Sequence, residues 1–194
     1  MNGYAVALFA HLVSLLLASV AASLAMFAAL RLRGAESIAD AASWLGVIRR
    51  VVRLFPLAVL GLMASGWYMT HERWSFSLPW IDAAVVGLVL IVILGTGVEG
   101  SRNRALGREL QAHGLSMQAR RLLRDPVAWS AKMSTLTVSL AVVFLMTVKP
   151  TGPVCVVTML AAVAAGVAGA VPFWWGRERG SAELGASGIA ATGR

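Results

Sequence analysis

The stretch WIDAAVVGLVLIVILGTGVEGSRNRALGR, residues 80–108, decides the fold. It runs from Ala83 to Val98 through apolar and small residues, then turns polar and carries Arg102, Arg104 and Arg108. An apolar run of this kind is what a helix needs to cross a hydrocarbon core ~30 Å thick, and arginines just beyond it mark the side kept in the cytoplasm. Four other runs resemble it, so the sequence predicts spans at about 4–30, 52–69, 80–98, 133–148 and 154–175. Fifteen of the 17 Lys and Arg residues follow the first, third and fifth runs, and only Arg73 and Lys149 fall in the other two gaps. This alternation predicts an all-α, multi-pass transmembrane helical bundle of five spans, with the N-terminus outside and the C-terminus cytoplasmic.

Composition supports the same class. Of 194 residues, 58% are hydrophobic, and the mean hydropathy is +0.75. Ordinary soluble domains have roughly 45–50% apolar residues, so the excess is expected to face lipid. A net charge of +8 could suggest nucleic acid in a soluble protein. Here the charges flank apolar runs, and anionic lipid headgroups at the cytoplasmic face are the expected partner, with no nucleic acid. Cys155 is the single cysteine, which excludes an intrachain disulfide framework or a thiolate cluster.

The first run has a rival reading as a signal peptide cleaved near Ser19-Val20-Ala21. Residues 1–10 hold no Lys or Arg, and the apolar stretch continues past Ala21, so it is read as a span. Residues 35–51 form an amphipathic segment with Ile38, Ala41, Leu45, Ile48 and Val52 three or four apart, opened by the capping-box spacing of Ser37 and Asp40. It is expected to lie on the cytoplasmic headgroups. The connector 70–79 is short and is flanked or filled by Trp67, Tyr68, Trp74, Phe76 and Trp80, rings that settle at a membrane boundary. Residues 100–131 carry a weak apolar stripe of Leu106, Leu110, Leu115 and Leu122 and are expected to form basic surface helices interrupted at Asp125-Pro126. Gly152-Pro153 is read as a tight turn before the fifth span. Residues 1–176 thus form one transmembrane domain, and the Gly/Ala/Ser-rich residues 177–194 are expected to be a disordered cytoplasmic tail.

Candidate chemistry is sparse. Ala18, Ala22 and Met26 in the first run, and Ala161, Ala165 and Gly169 in the fifth, are spaced for close helix contact or for a homodimer seam. Gly95-Thr96-Gly97-Val98-Glu99-Gly100 matches a dinucleotide-loop string, but at a membrane-helix exit rather than a strand-to-helix turn. His71-Glu72 lacks the second histidine of a zincin motif. His11 is the one histidine inside a predicted span, where an ionisable residue is a functional candidate or a hydrogen-bonded structural one. It shares a helical side with Ala18, Ala22 and Ala25, so it is expected to face the bundle interior. Asp82 and Lys149 stand at the outer ends of the third and fourth spans and are expected to form a structural ion pair. Met63, Met69 and Met146 are soft thioethers that could serve Cu(I) or simply fill a core.

His11, Arg49-Arg50 before a span with Pro56 and Gly66-Trp67, Trp80 opening the third span, and the closing run from Val143 to Pro150 occur in an order that resembles a superfamily of bacterial integral membrane proteins. It includes the CopD copper-resistance proteins and the HemJ-type protoporphyrinogen oxidases, and the likeness covers roughly His11 to Pro150. The resemblance implies a bacterial inner-membrane protein and makes His11 a possible haem ligand, with haem or copper as the cofactors to consider. The HemJ-type Trp-x-His-x-Lys pattern is replaced by Trp80-Ile81-Asp82-Ala83-Ala84, and Ala18 stands where that type has a tryptophan. The resulting expectation is a member of an uncharacterised branch. It would handle copper or haem without catalysis at the outer face, or scaffold a membrane partner or a second copy. A haem-dependent oxidase and a small transporter are the alternatives.

Overall fold

A computed structural model describes residues 2–175. Over these residues the protein is helical throughout: α1 (Gly3–Arg33), α2 (Ile38–Val52), α3 (Leu54–Arg73), α4 (Pro79–Val92), a π-helical segment (Ile93–Glu99), α5 (Gly100–His113), α6 (Met117–Leu123), α7 (Pro126–Val148) and α8 (Gly152–Trp175). The expected tail at 177–194 lies outside the described residues. Four helical stretches are long and apolar enough to cross a membrane, namely Gly3–Arg33, Pro79–His113, Met117–Val148 and Gly152–Trp174. The expected span at 52–69 corresponds to α3, whose 20 residues end in the polar Thr70-His71-Glu72-Arg73 and which is not one of the four.

Local sequence sets the helix ends. Ser37 caps α2 by accepting the Asp40 backbone N–H at 3.1 Å. Asp125-Pro126 is a start signal as well as an interruption. Asp125 accepts the Val127 N–H at 2.9 Å, and Pro126 sits in the first turn, where its missing N–H leaves no bond unmade. At the far end of α7, Lys149 adopts a left-handed conformation with φ of 53°. The reversal therefore falls at Lys149–Thr151, and Gly152-Pro153 open α8 instead of forming the tight turn themselves.

The helices pack as two groups. In one, α1 runs along α3, with Gly61 and Gly66 against Ser14 and His11. In the other, α7 lies on α8 and α4 lies on both. There a Cβ on Gly166 would collide with the Ser134 backbone, and Thr137 donates to the Ala162 carbonyl at 2.6 Å. The expected small-residue stripe of α8 is displaced by one position. Ala161, Ala165 and Gly169 are exposed, whereas Ala162, Gly166 and Ala170 are buried. On α1 the covered side includes Ala18 and Ala22 in part and buries Ala21, Ala25, Ala28 and Ala29.

The two groups meet at the arginine-rich end of the molecule. One buried cluster there takes Ala28, Ala29 and Leu32 from α1, Leu45 and Ile48 from α2, Leu106 and Leu110 from α5, Trp129 from α7 and Ala170 from α8. The opposite, tryptophan-rich end is held by Trp80, Ile81, Leu145 and Cys155, all from the second group. The amphipathic faces expected at residues 35–51 and 100–131 are turned, at Ala41, Leu45, Ile48, Leu106 and Leu110, into this protein cluster. The buried parts of the α2 and α5 stripes cover each other and α1, while Ile38 and Val52 at the ends of the α2 stripe stay exposed.

Candidate functional site

The polar groups of the arginine-rich end form one connected joint. The Arg33 guanidinium lies over the Trp129 and Phe173 rings, 5.3 and 5.1 Å from their centroids, and those rings stack 4.4 Å apart. Arg33 also donates to the Phe173 carbonyl at 3.2 Å, which satisfies an acceptor in the last turns of α8. Trp129 is oriented by its own indole N–H, which donates to the Leu123 carbonyl at 3.1 Å.

One turn away, Lys132 of α7 donates to Glu99, the last residue of the π-helical segment. Both side chains are largely covered, at 15% and 16% exposure. Widened π turns change the angular register of a helix and often sit at functional positions, and here they set the direction in which Glu99 points. Beside this pair, Arg102 meets Asp125 at 3.0 Å, with the carboxylate covered and the guanidinium open. A crevice of about 50 Å³ separates the pairs, lined by Leu32, Ile48, Asn103 and Leu106 as well as Glu99, Arg102 and Lys132. It has room for water and enough polar walls to hold it. Chemically the joint is a compensated set of charges at the point where two helix groups touch. In it each buried charge depends on its partner.

Sequence reasoning missed this site. Glu99 stood out only as the start of the polar segment and as part of the Gly95–Gly100 string, which spans the junction of the π-helical segment and α5 and not a strand-to-helix turn. A usable signal was present: an acid at the exit of one apolar run and a lysine at the entrance of the next.

At the other end, the His11 ring faces α3. Its Nδ1 lies 3.0 Å from Ser65 Oγ, and the Ser65 hydroxyl itself bonds to the Gly61 carbonyl. Because that hydroxyl has one proton, His11 is the donor and Nδ1 carries the hydrogen. Among the described residues, no further metal donors gather round it. The ring lies against the bare backbone of Gly66, and among the described residues no three His, Cys, Asp or Glu side chains come together. His71 is exposed at the end of α3, and His113 is on α5 beside Glu109, at 3.5 Å. Met63 is exposed on α3, Met69 is half-buried there, and Met146 packs into the Trp80 cluster of the other helix group. The three are not brought together.

The expected Asp82–Lys149 pair is absent from the ion pairs of the described residues. Asp82 is exposed on the first turn of α4, while the Lys149 ammonium lies 4.1 Å from the Trp74 ring centroid and 5.7 Å from that of Trp80. The left-handed turn at Lys149 aims the side chain at two indoles standing edge to face, which attract the cation through their ring faces.

In comparisons with known proteins, no family model, no curated protein and no solved structure matches the chain.

Proposed function

We propose that the chain is a five-span protein of a bacterial inner membrane, N-terminus outside and C-terminus cytoplasmic, related to the uncharacterised branch of the CopD/HemJ-like superfamily. It works without catalysis, as a scaffold whose docking face is its cytoplasmic end. One observation carries this reading. The helix Pro79–His113 has 35 residues, about 52 Å at 1.5 Å per residue, which is some 20 Å more than a hydrocarbon core requires. Its α5 portion therefore stands beyond the bilayer with α2 and α6 packed around it. Arg50, Arg104, Arg108, Arg120 and Arg121 are exposed on these helices. Such a knob meets anionic headgroups at its base and suits an acidic protein segment at its tip.

The test is binding of an acidic model peptide to the full chain in zwitterionic nanodiscs. Binding should weaken from 50 to 200 mM salt, roughly the range over which screening sharpens. It should vanish when Arg104, Arg108, Arg120 and Arg121 are changed to Glu. Salt-independent binding, or none, removes the scaffold reading. Topology has its own readout: a cytoplasm-only reporter should be active after Arg194 and silent at Met1.

The transporter reading is favoured by one feature, a helix interrupted by π turns that end in a covered ion pair. Ion flux in proteoliposomes that disappears in Glu99→Gln would establish it. Copper or haem handling would need donors beyond His11, and purified protein free of both copper and haem absorbance would dismiss it.

A further inference from the structure

The elbow between α1 and α2 encloses an open cavity of about 480 Å³ lined by Leu30, Arg31, Gly34, Glu36, Ser37 and Asp40. It is an open notch with a polar lining, shaped for a headgroup at a surface and not for an enclosed ligand. Its charges are unusual for a surface notch on so basic a protein. Glu36 and Asp40 enter none of the ion pairs among the described residues. The Arg31 guanidinium lies over the Trp44 ring, 5.5 Å from the centroid, and pairs with neither acid, so its N–H groups are left for an anion. One cation and two carboxylates thus face a common space at the end of an apolar helix.

From Leu30 in the lining, 44% exposed, the wall of α1 continues one turn back to Phe27, 55% exposed, which meets Trp44 edge to face. An indole at this level, apolar on one side and polar on the other, is typical of the boundary between acyl chains and headgroups. We propose that this elbow binds a phospholipid whose headgroup carries a primary amine, as phosphatidylethanolamine does. Arg31 takes the phosphate, Glu36 and Asp40 accept the N–H groups of the ammonium, and the acyl chains run along Leu30 and Phe27. A phosphatidylcholine headgroup has no N–H to donate, and phosphatidylglycerol has no cation to set against two carboxylates. The inference requires that α1 cross a membrane but not in which direction, so a reversed topology or a failed scaffold test leaves it standing.

Native mass spectrometry of the delipidated full chain, titrated with the three lipids bearing identical acyl chains, tests it. Phosphatidylethanolamine should bind about tenfold more tightly than either of the others. Glu36→Gln with Asp40→Asn should erase that preference to within about twofold, the scale of a lost charge-assisted hydrogen-bond set. Both positions are exposed, and circular dichroism checks that the helices persist; Asp40→Asn alone, which keeps a residue suited to the first turn of α2, should lose part of the preference. Equal binding of the three lipids, or a preference that survives both substitutions, overturns the assignment. Competition by soluble glycerophosphoethanolamine at equal concentration would also overturn it, by showing that the acyl chains contribute nothing.

Discussion

The seam between α1 and α3 and the joint at the arginine-rich end solve the same problem with different chemistry. Along the seam, helices touch through Gly61, Gly66, Ser14 and one His11–Ser65 hydrogen bond. At the joint they are held by stacked rings, two ion pairs and the interlocked leucines of α2 and α5. Between helices in lipid, apolarity provides no net drive, so close approach and an occasional polar bond must suffice. At the arginine-rich end, where the helices turn polar, amphipathic helices gain from burying their faces on one another. The contrast teaches that the joint, not the spans, ties the two helix groups into one molecule.

The largest test of that contrast is Glu99→Ala. It leaves Lys132 covered and unpaired and should cost about 3 kcal/mol in thermal or denaturant unfolding in detergent. Glu99→Gln combined with Lys132→Met should cost less than Glu99→Ala, because no orphan charge remains. Strict additivity of the component single changes Glu99→Gln and Lys132→Met in a double-mutant cycle would show that the joint is not coupled.

A second test separates packing from composition within α8. Gly166→Ala drives a Cβ into the Ser134 backbone, which must move, and should cost about 2 kcal/mol, the scale of overpacking. Gly169→Ala meets nothing within 4 Å and should be neutral or slightly stabilising, since alanine is the better helix former. Equal effects would mean that α7 and α8 do not pack through Gly166. Third in size is Arg33→Ala, which removes a guanidinium from two rings and a carbonyl and should cost about 2 kcal/mol at most. Arg33→Lys should recover only part of it, because an ammonium lacks the flat face.

These choices also show what the sequence made legible. Apolar runs gave the helices and their order, and Ser37 gave the start of α2, whereas Asp125-Pro126, read as an interruption, is the cap that opens α7 seven residues before the expected span. The face of α8 was not legible, because Ala161, Ala162, Ala165, Gly166, Gly169 and Ala170 make two adjacent stripes equally small. Only the positions of Ser134 and Thr137 on α7 choose between them. The amphipathic faces of α2 and α5 were visible, yet periodicity says that a face is covered and not by what. Charge logic erred at Lys149 because a tryptophan can satisfy a cation as an aspartate can, and the left-handed turn that selects Trp74 is a backbone fact. The same logic, applied at Glu99 and Lys132, would have found the joint.

The smallest effect concerns His11 and Ser65, and its sign pattern is more telling than its size. Ser65 donates its one proton to the Gly61 carbonyl, so the histidine Nδ1–H relies on the serine oxygen and not the reverse. Ser65→Ala strands an N–H in an apolar seam, whereas His11→Ala leaves a serine still bonded to its own helix. Polar contacts between membrane helices average only ~0.6 kcal/mol, so both losses should be near or below about 1 kcal/mol, with Ser65→Ala the larger. A melting comparison in detergent reads the order directly. If His11→Ala proves several-fold worse than Ser65→Ala, the imidazole does more than donate to Ser65 and hold α1 to α3, and that reading of the seam fails.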